Sequence, residues 1–291
     1  MLSAALLVAG CGDADAPPEA EASETTSVAA AFYPLAFAAE RVGGRGVDVR
    51  NLTPPGAEPH DVELSARDVE RIRAAGVVLY LGGGFQPALE RAVAGADGTT
   101  VDLLEAVELL PLSHGHAHGE EEAEATLDPH VWLDPLRYAA IVREIGIVLD
   151  ARSRAEELAA ELRGLDREFR EGLADCARRE IVTSHAAFGY LADRYELEQI
   201  AIAGLSPEAE PSARDLERIV EEVREHRATT VFAETLVSPR VAETVAREAG
   251  ARTAVLNPLE GLTADERARG DDYFDVMRAN LETLREALGC R

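Results

Sequence analysis

The chain of 291 residues contains no lysine; all 29 of its basic residues are arginine, a usage that reflects coding bias rather than mechanism. Base is scarce beside acid, 29 against 54, which leaves a formal charge of −25. A surface with that balance cannot neutralise phosphates, so nucleic acid is excluded as a partner, while a cationic ligand remains compatible. No apolar run reaches the ~18–20 residues that a membrane-spanning helix needs. Neither HExxH nor CxxC occurs, so a metal site built on either short spacing is excluded. What is present is ordinary globular material: a hydrophobic share of 46% rules out a disordered chain. At ~100–200 residues per domain the length suggests two domains, each with room for a core.

Residues 1–10 read MLSAALLVAG, a short apolar stretch ending in small residues, with no base ahead of it. This pattern marks a secretory signal peptide and is too short to cross a bilayer. Val8-Ala9-Gly10-Cys11 resembles a bacterial lipobox, which implies an acylated Cys11 and a membrane-anchored, extracytoplasmic chain. Residues 11–26 hold five acids, two prolines and no base. Such a segment cannot offset its ordering entropy and is expected to be a disordered acidic tether. Export places the chain where disulfides persist, and two further cysteines remain. Cys176 and Cys290 either bridge or stand as two separate buried thiols.

From residue 27 strands and helices alternate. Strand-like runs occur at 27–33, 47–52, 77–82 and 99–104, and again at 179–184, 198–203, 229–234 and 252–257. Short β-branched runs between amphipathic helices predict an α/β protein of mainly parallel sheets flanked by helices. Between the two sets, residues 152–177 contain no proline and only two glycines, with apolar residues at helical spacing. This predicts a rigid connector helix about 35–40 Å long. The expected organisation is an N-terminal lobe over 27–150, a connector over 151–177 and a C-terminal lobe over 178–291.

Seven histidines are few enough to weigh singly. His60 lies in a Pro/Gly-rich loop after the second strand, and His185 directly follows the fifth. His130 lies in LDPHVWLDP ahead of a helix, and Glu260 in LNPLEGL just past the last strand. In open α/β sheets ligands bind at the carboxyl edge of the strands. Two lobes would therefore point four donors, two from each, into one cleft. A lone histidine beside a strand is ordinarily a structural residue; three so placed, with a carboxylate, predict a metal site. Glu58 and Glu234 are candidates for hydrogen-bonding behind the ligands. His226, on a polar helix, reads as surface, and Trp132 as packing. The loop 113–126 carries His114, His116 and His118 followed by glutamates, a composition that predicts a looser, secondary metal contact.

At AFYPLAF, GAEPHDVELS, DPHVWLDP, SHAAFGYLA, VFAETLVSP, LNPLEGL and YFDVMRANLETL the sequence resembles the metal-specific substrate-binding lipoproteins of bacterial ABC importers (cluster A-I, or cluster 9). The resemblance runs through most of the chain with its landmarks in order. It implies two α/β lobes joined by a long rigid helix, with the metal in the cleft between them. It also implies His60, His130, His185 and Glu260 as ligands, Zn2+ as the transported ion, and no catalysis. The implied partners are a membrane permease and its ATPase, with the binding protein itself a monomer. A His-rich acidic loop is typical of the zinc branch, and three imidazoles favour zinc over manganese, which prefers oxygen-rich sites. Two other readings stay open: a manganese or iron binder of the same class, and a zinc hydrolase using three histidines and an open water position.

Overall fold

The computed structural model describes residues 25–111, 127–207 and 211–291. The expectations for the signal stretch, for Cys11 and nearly all of the tether, and for His114, His116 and His118 lie outside the described residues. The first half of the chain runs β1 (Thr26–Ala30), α1 (Tyr33–Gly43), β2 (Val47–Asn51), α2 (Ala66–Ala74), β3 (Val77–Tyr80), α3 (Pro87–Val93), β4 (Thr99–Asp102) and α4 (Pro135–Val148). After α5 (Arg152–Gly172) come β5 (Glu180–Thr183), α6 (Gly189–Tyr195), β6 (Glu198–Ala201), α7 (Ala213–Glu225), β7 (Thr230–Ala233), α8 (Arg240–Ala249), β8 (Arg252–Val255), α9 (Ala264–Arg269) and α10 (Tyr273–Leu288).

The strands form two all-parallel sheets with the same topology, ordered β2-β1-β3-β4 and β6-β5-β7-β8. Val28 sits between Val49 and Val77 in the first, and Val182 pairs with Val231 in the second. Parallel strands need helical crossovers, so strand and helix alternate along the sequence, and the central strands β3, β5 and β7 are mostly buried while the edge strands β2, β4, β6 and β8 stay partly exposed.

All eight expected strands are present, and each stops short of its expected carboxyl end. Phe32 and Leu103 are fully buried beyond the last paired residues, so hydrophobicity continues where the ladder does not. Phe32 is the cap residue immediately before α1, whose first turn holds Pro34. Leu103 and Leu104 enter a 3-10 turn because the Asp102 carboxylate accepts from the Leu104 N–H at 3.0 Å. The ladder thus ends early at the very edge that carries the site.

The helix expected over 152–177 ends at Gly172. With 21 residues it is about 31 Å long rather than 35–40 Å. Beyond it the chain turns, and Cys176 is bonded to Cys290. Ala155, Leu158, Ala159, Leu162, Leu165 and Phe169 are buried along one face of α5 at helical spacing. They pack against α4, α1 and α10, and Gly146 of α4 leaves no room for a Cβ beside Ala155. Helix α10 crosses back from the second half onto the first: Tyr273 stacks near Phe37 and Tyr138, at 5.9 and 4.6 Å between ring centroids. Its Tyr273 hydroxyl donates to the Trp132 carbonyl at 2.6 Å, and Arg278 pairs with Glu168 of α5 at 2.8 Å. A fully buried aromatic or leucine of this kind contributes about 1.5–3 kcal/mol. Among the described residues, no helix is long and apolar enough to cross a membrane.

Candidate metal centre

Four loops at the carboxyl edges of the two sheets bring His60, His130, His185 and Glu260 together. His60 ends a loop stiffened by Pro54, Pro55 and Pro59, with Gly56 in the left-handed region at φ 79°. Its backbone N–H donates to Glu58 Oε1 at 2.9 Å, and its ring meets the Phe85 edge at 4.6 Å between centroids. His130 precedes the 3-10 turn Val131–Leu133, and the next residue, Asp134, caps α4 ahead of Pro135. Asp128 accepts from the His130 backbone N–H at 2.9 Å and bonds the ring Nδ1 at 2.7 Å. A Cβ on Gly189 would lie 2.6 Å from the other Asp128 oxygen, so only glycine lets α6 approach there.

His185 is held from three sides. Its N–H donates to Glu234 Oε1 at 3.0 Å, its Nδ1 meets Glu234 Oε2 at 2.7 Å, and its carbonyl accepts from Thr183 Oγ1 at 2.7 Å. Glu260 hangs on a loop fixed by amides: Asn280 accepts from the Asn257 N–H and donates back to the Asn257 carbonyl, at 2.9 and 2.7 Å. Asn257 in turn accepts from the Leu259 N–H at 2.8 Å, with Leu259 at φ 58°. The Trp132 indole N–H donates to the Pro258 carbonyl at 2.8 Å, tying the His130 turn to the Glu260 loop.

The result is one constellation of four donor atoms. Glu260 Oε1 lies 3.3 Å from His60 Nε2, 3.4 Å from His130 Nε2 and 3.3 Å from His185 Nε2. The His130 and His185 Nε2 atoms are 3.4 Å apart, and all four donors lie within 4.8 Å of one another. His130, His185 and Glu260 are buried, and His60 keeps 8% side-chain exposure, which makes it the solvent-facing member.

The electrostatics are those of a cation site filled by protons. Burial disfavours the His185 imidazolium, but the carboxylates of Glu234 and Glu260 outweigh it and push its pKa up to about 10. Burial likewise opposes charge on His130, and Asp128 more than compensates, so its pKa is raised. At His60 burial prevails over Glu260 and the pKa is lowered. Burial alone would raise the Glu260 carboxyl; His185, with hydrogen bonds from all three imidazoles, holds it well below the usual range. Glu58 is pushed up to about 9, by burial and then by the Glu260 charge beside it. Positive charge is thus gathered in the histidine pair backed by acids, facing an ionised Glu260.

The sequence profile of the family described as "Zinc-uptake complex component A periplasmic" matches residues 28–287. The chain belongs to that family. Among curated relatives, the zinc-binding lipoprotein AdcA of Streptococcus pneumoniae is 35% identical over 298 aligned positions, covering 97% of this chain and 58% of AdcA. The high-affinity zinc uptake system protein ZnuA of Bacillus subtilis is 34% identical over 97% of this chain and 94% of its own. The crystal structure of the Zn(II)-bound ZnuA-like domain of S. pneumoniae AdcA matches with a TM-score of 0.74 at 34% identity, covering 91% of this chain and 99% of that one. This member of the family therefore spans little more than half the length of AdcA.

Within this zinc-uptake family member, the other residues singled out from sequence fall as follows. Glu234 lies directly behind His185, and Glu58 holds the backbone of His60 rather than its ring. His226 is exposed, 3.8 Å from Glu180. Trp132 packs on Phe32 at 4.7 Å between centroids while its N–H reaches Pro258. Sequence reasoning missed Asp128, Asn257 and Asn280. An aspartate two residues before a histidine is the signal that points to Asp128, because that spacing lets one carboxylate take both the backbone and the ring N–H.

Proposed function

We propose that this chain is the extracytoplasmic capture component of a zinc importer, which binds Zn2+ in the cleft and hands it to a membrane permease driven by an ATPase. One observation carries the reading: the spacing of the four donor atoms. Tetrahedral zinc with ligands at about 2.0–2.1 Å requires its donors to stand about 3.3–3.4 Å apart. Four of the donor separations, all those to Glu260 and the one between His130 and His185, are 3.3–3.4 Å. His60, His130, His185 and Glu260 are the ligands, with Asp128 and Glu234 fixing two of the imidazoles. Zinc reaches the site past His60, the one ligand open to solvent.

Capture involves no reaction. Glu260 closes a four-coordinate shell, whereas a hydrolytic zinc keeps a position for water. The lobes are residues 27–150 and 178–291, and α5 with the returning α10 limits hinge bending between them. Acylated Cys11 holds the monomeric protein at the membrane, and His114, His116 and His118 supply a weaker contact for incoming metal.

Competition between metals tests the reading. Purified metal-free protein is expected to take up one zinc tightly in the cleft, and manganese at about a hundredfold excess is expected to leave it in place. Displacement by manganese at that ratio, followed by isothermal calorimetry, would reassign the protein to the manganese branch.

Binding is also expected to release protons. At pH 7 a His185 with its pKa near 10 carries a proton that zinc must expel, so at least one proton leaves per ion. Apparent affinity then rises about tenfold per pH unit for each proton displaced, and falls by the same factor on acidification. Calorimetry at pH 7 in buffers of different ionisation enthalpy reads the count directly; a slope of zero would contradict the charged state given for His185.

A further inference from the structure

A tyrosine hydroxyl is inserted into the backbone pairing beside the metal centre. Pro111 and Leu127 face each other in a short antiparallel bridge. Their neighbours Leu110 and Asp128 would ordinarily exchange two backbone hydrogen bonds. Only one is direct, from the Asp128 N–H to the Leu110 carbonyl at 3.2 Å. In place of the other, the Leu110 N–H donates to the Tyr190 hydroxyl at 3.0 Å, and that hydroxyl donates to the Asp128 carbonyl at 2.7 Å. A pairing that could close on itself is instead completed by a side chain from the other half of the chain.

The tyrosine is held in place. Its side chain is fully buried, and the Arg137 guanidinium lies over its ring, 4.8 Å from the centroid. Arg137 is itself fixed by Asp134 at 2.8 Å and Asp193 at 3.2 Å. Gly189, the residue before Tyr190, stands so close to Asp128 that a Cβ there would lie 2.6 Å from Oδ2. The start of α6 therefore bears on Asp128 at two points, its backbone carbonyl and its carboxylate. Asp128 is the group behind His130, since its Oδ1 takes both the backbone N–H and the ring Nδ1. His185 lies on the same connection between β5 and α6, where its carbonyl accepts from Gln199 at 3.0 Å and Thr183 at 2.7 Å.

We infer that Tyr190 is a positioning residue for the zinc site: by spacing Asp128 from Leu110 it sets the carboxylate that aims the His130 ring. His130 and His185 come from different halves of the chain, and one short segment aligns both. Without the hydroxyl, Leu110 and Asp128 either close directly, which draws the carboxylate off the ring, or stay apart and lose a partner each. Both outcomes move or loosen the support of His130 while leaving Glu234 behind His185 untouched.

The inference rests on His130 being a ligand, and zinc competition against a chelator of known affinity separates the two. Tyr190→Phe keeps the packing and removes only the oxygen. It is expected to weaken zinc binding about tenfold, the lower end of the range for groups that orient a ligand. A pair of double-mutant cycles decides the cause. Added to Asp128→Ala, the phenylalanine should cost less than about twofold further; added to Glu234→Gln, it should cost its full factor of about ten. A tyrosine that merely stabilises the fold would cost the same in both. Gly189→Ala presses on the same carboxylate and is expected to weaken binding in the same direction, which supplies a second variant if Tyr190→Phe does not fold. Affinity within about twofold of the wild type in Tyr190→Phe, or in Gly189→Ala where only that variant folds, would overturn the positioning role and leave the ligand set standing. So would an equal cost of Tyr190→Phe in the two backgrounds. Wild-type affinity in His130→Ala would overturn the ligand reading, and the role of Tyr190 with it.

Discussion

His185→Ala is expected to weaken zinc binding by roughly 10²–10³-fold. Structural zinc sites with four ligands bind with about 10–16 kcal/mol at neutral pH, so one ligand accounts for about 2.5–4 kcal/mol, and each 1.4 kcal/mol is tenfold. The loss should be graded by what stands behind each ring. His185 and His130 are each fixed through Nδ1 by a carboxylate at 2.7 Å, whereas His60 has Phe85 at its edge and only a backbone bond to Glu58. His60→Ala is therefore expected to cost least of the three. Glu234→Gln leaves the zinc-binding nitrogen in place but removes the charge that orients it, a change worth about 10–100-fold. Competition against a chelator of known affinity ranks the series, with melting of the metal-free variants as the control for folding. If His185→Ala stayed within tenfold of the wild type, or if the triple alanine variant of His60, His130 and His185 still held one zinc tightly, the ligand assignment would be wrong.

That ranking shows what sequence carries and what it does not. His60, His185 and Glu260 can be read in advance because each follows a strand end, and parallel α/β sheets gather their strand ends at one edge; His130 is read from its loop ahead of α4. The strands themselves can be read from runs such as VVLY, whose β-branched residues suit a doubly covered sheet. Strand termini cannot, because burial outlasts pairing: Phe32 is as buried as the end of β1 before it, and Leu103 is more buried than any residue of β4. The end of α5 escaped for a similar reason. Residues 173–177 continue the helical pattern, but the link from Cys176 to Cys290 turns the chain away.

The supports of the site are less legible than its four candidate donors. Asn257 and Asn280 act across 23 positions, and neither amide has a pattern that distinguishes it from a loop or surface residue until the two are seen bonded. Trp132 reads correctly as a packing residue, yet its single polar atom spans from one ligand turn to the other.

Loss of the Cys176–Cys290 bond is expected to destabilise the protein by about 2–5 kcal/mol while leaving zinc affinity unchanged. The bond closes a separation of 114 residues that includes the whole second sheet, so its removal frees a large loop in the unfolded chain. It also fastens the carboxyl end of α10, whose opposite end packs on Phe37 and Tyr138 of the first half. With it go the backbone bonds that flank it, Arg178 N–H to the Leu288 carbonyl at 3.1 Å and Arg291 N–H to the Asp175 carbonyl at 3.0 Å. For a chain of this size the loss corresponds to a fall in melting temperature of about 3–8 °C. The metal centre is insulated from it by geometry: Cys176 leads into the amino end of β5, and His185 leaves the carboxyl end. A Cys176→Ser/Cys290→Ser variant, melted in its metal-free form and titrated with zinc, measures both quantities. A melting temperature within about 2 °C of the wild type would remove the stabilising role. A parallel loss of zinc affinity would show that the bond also sets the geometry of the cleft.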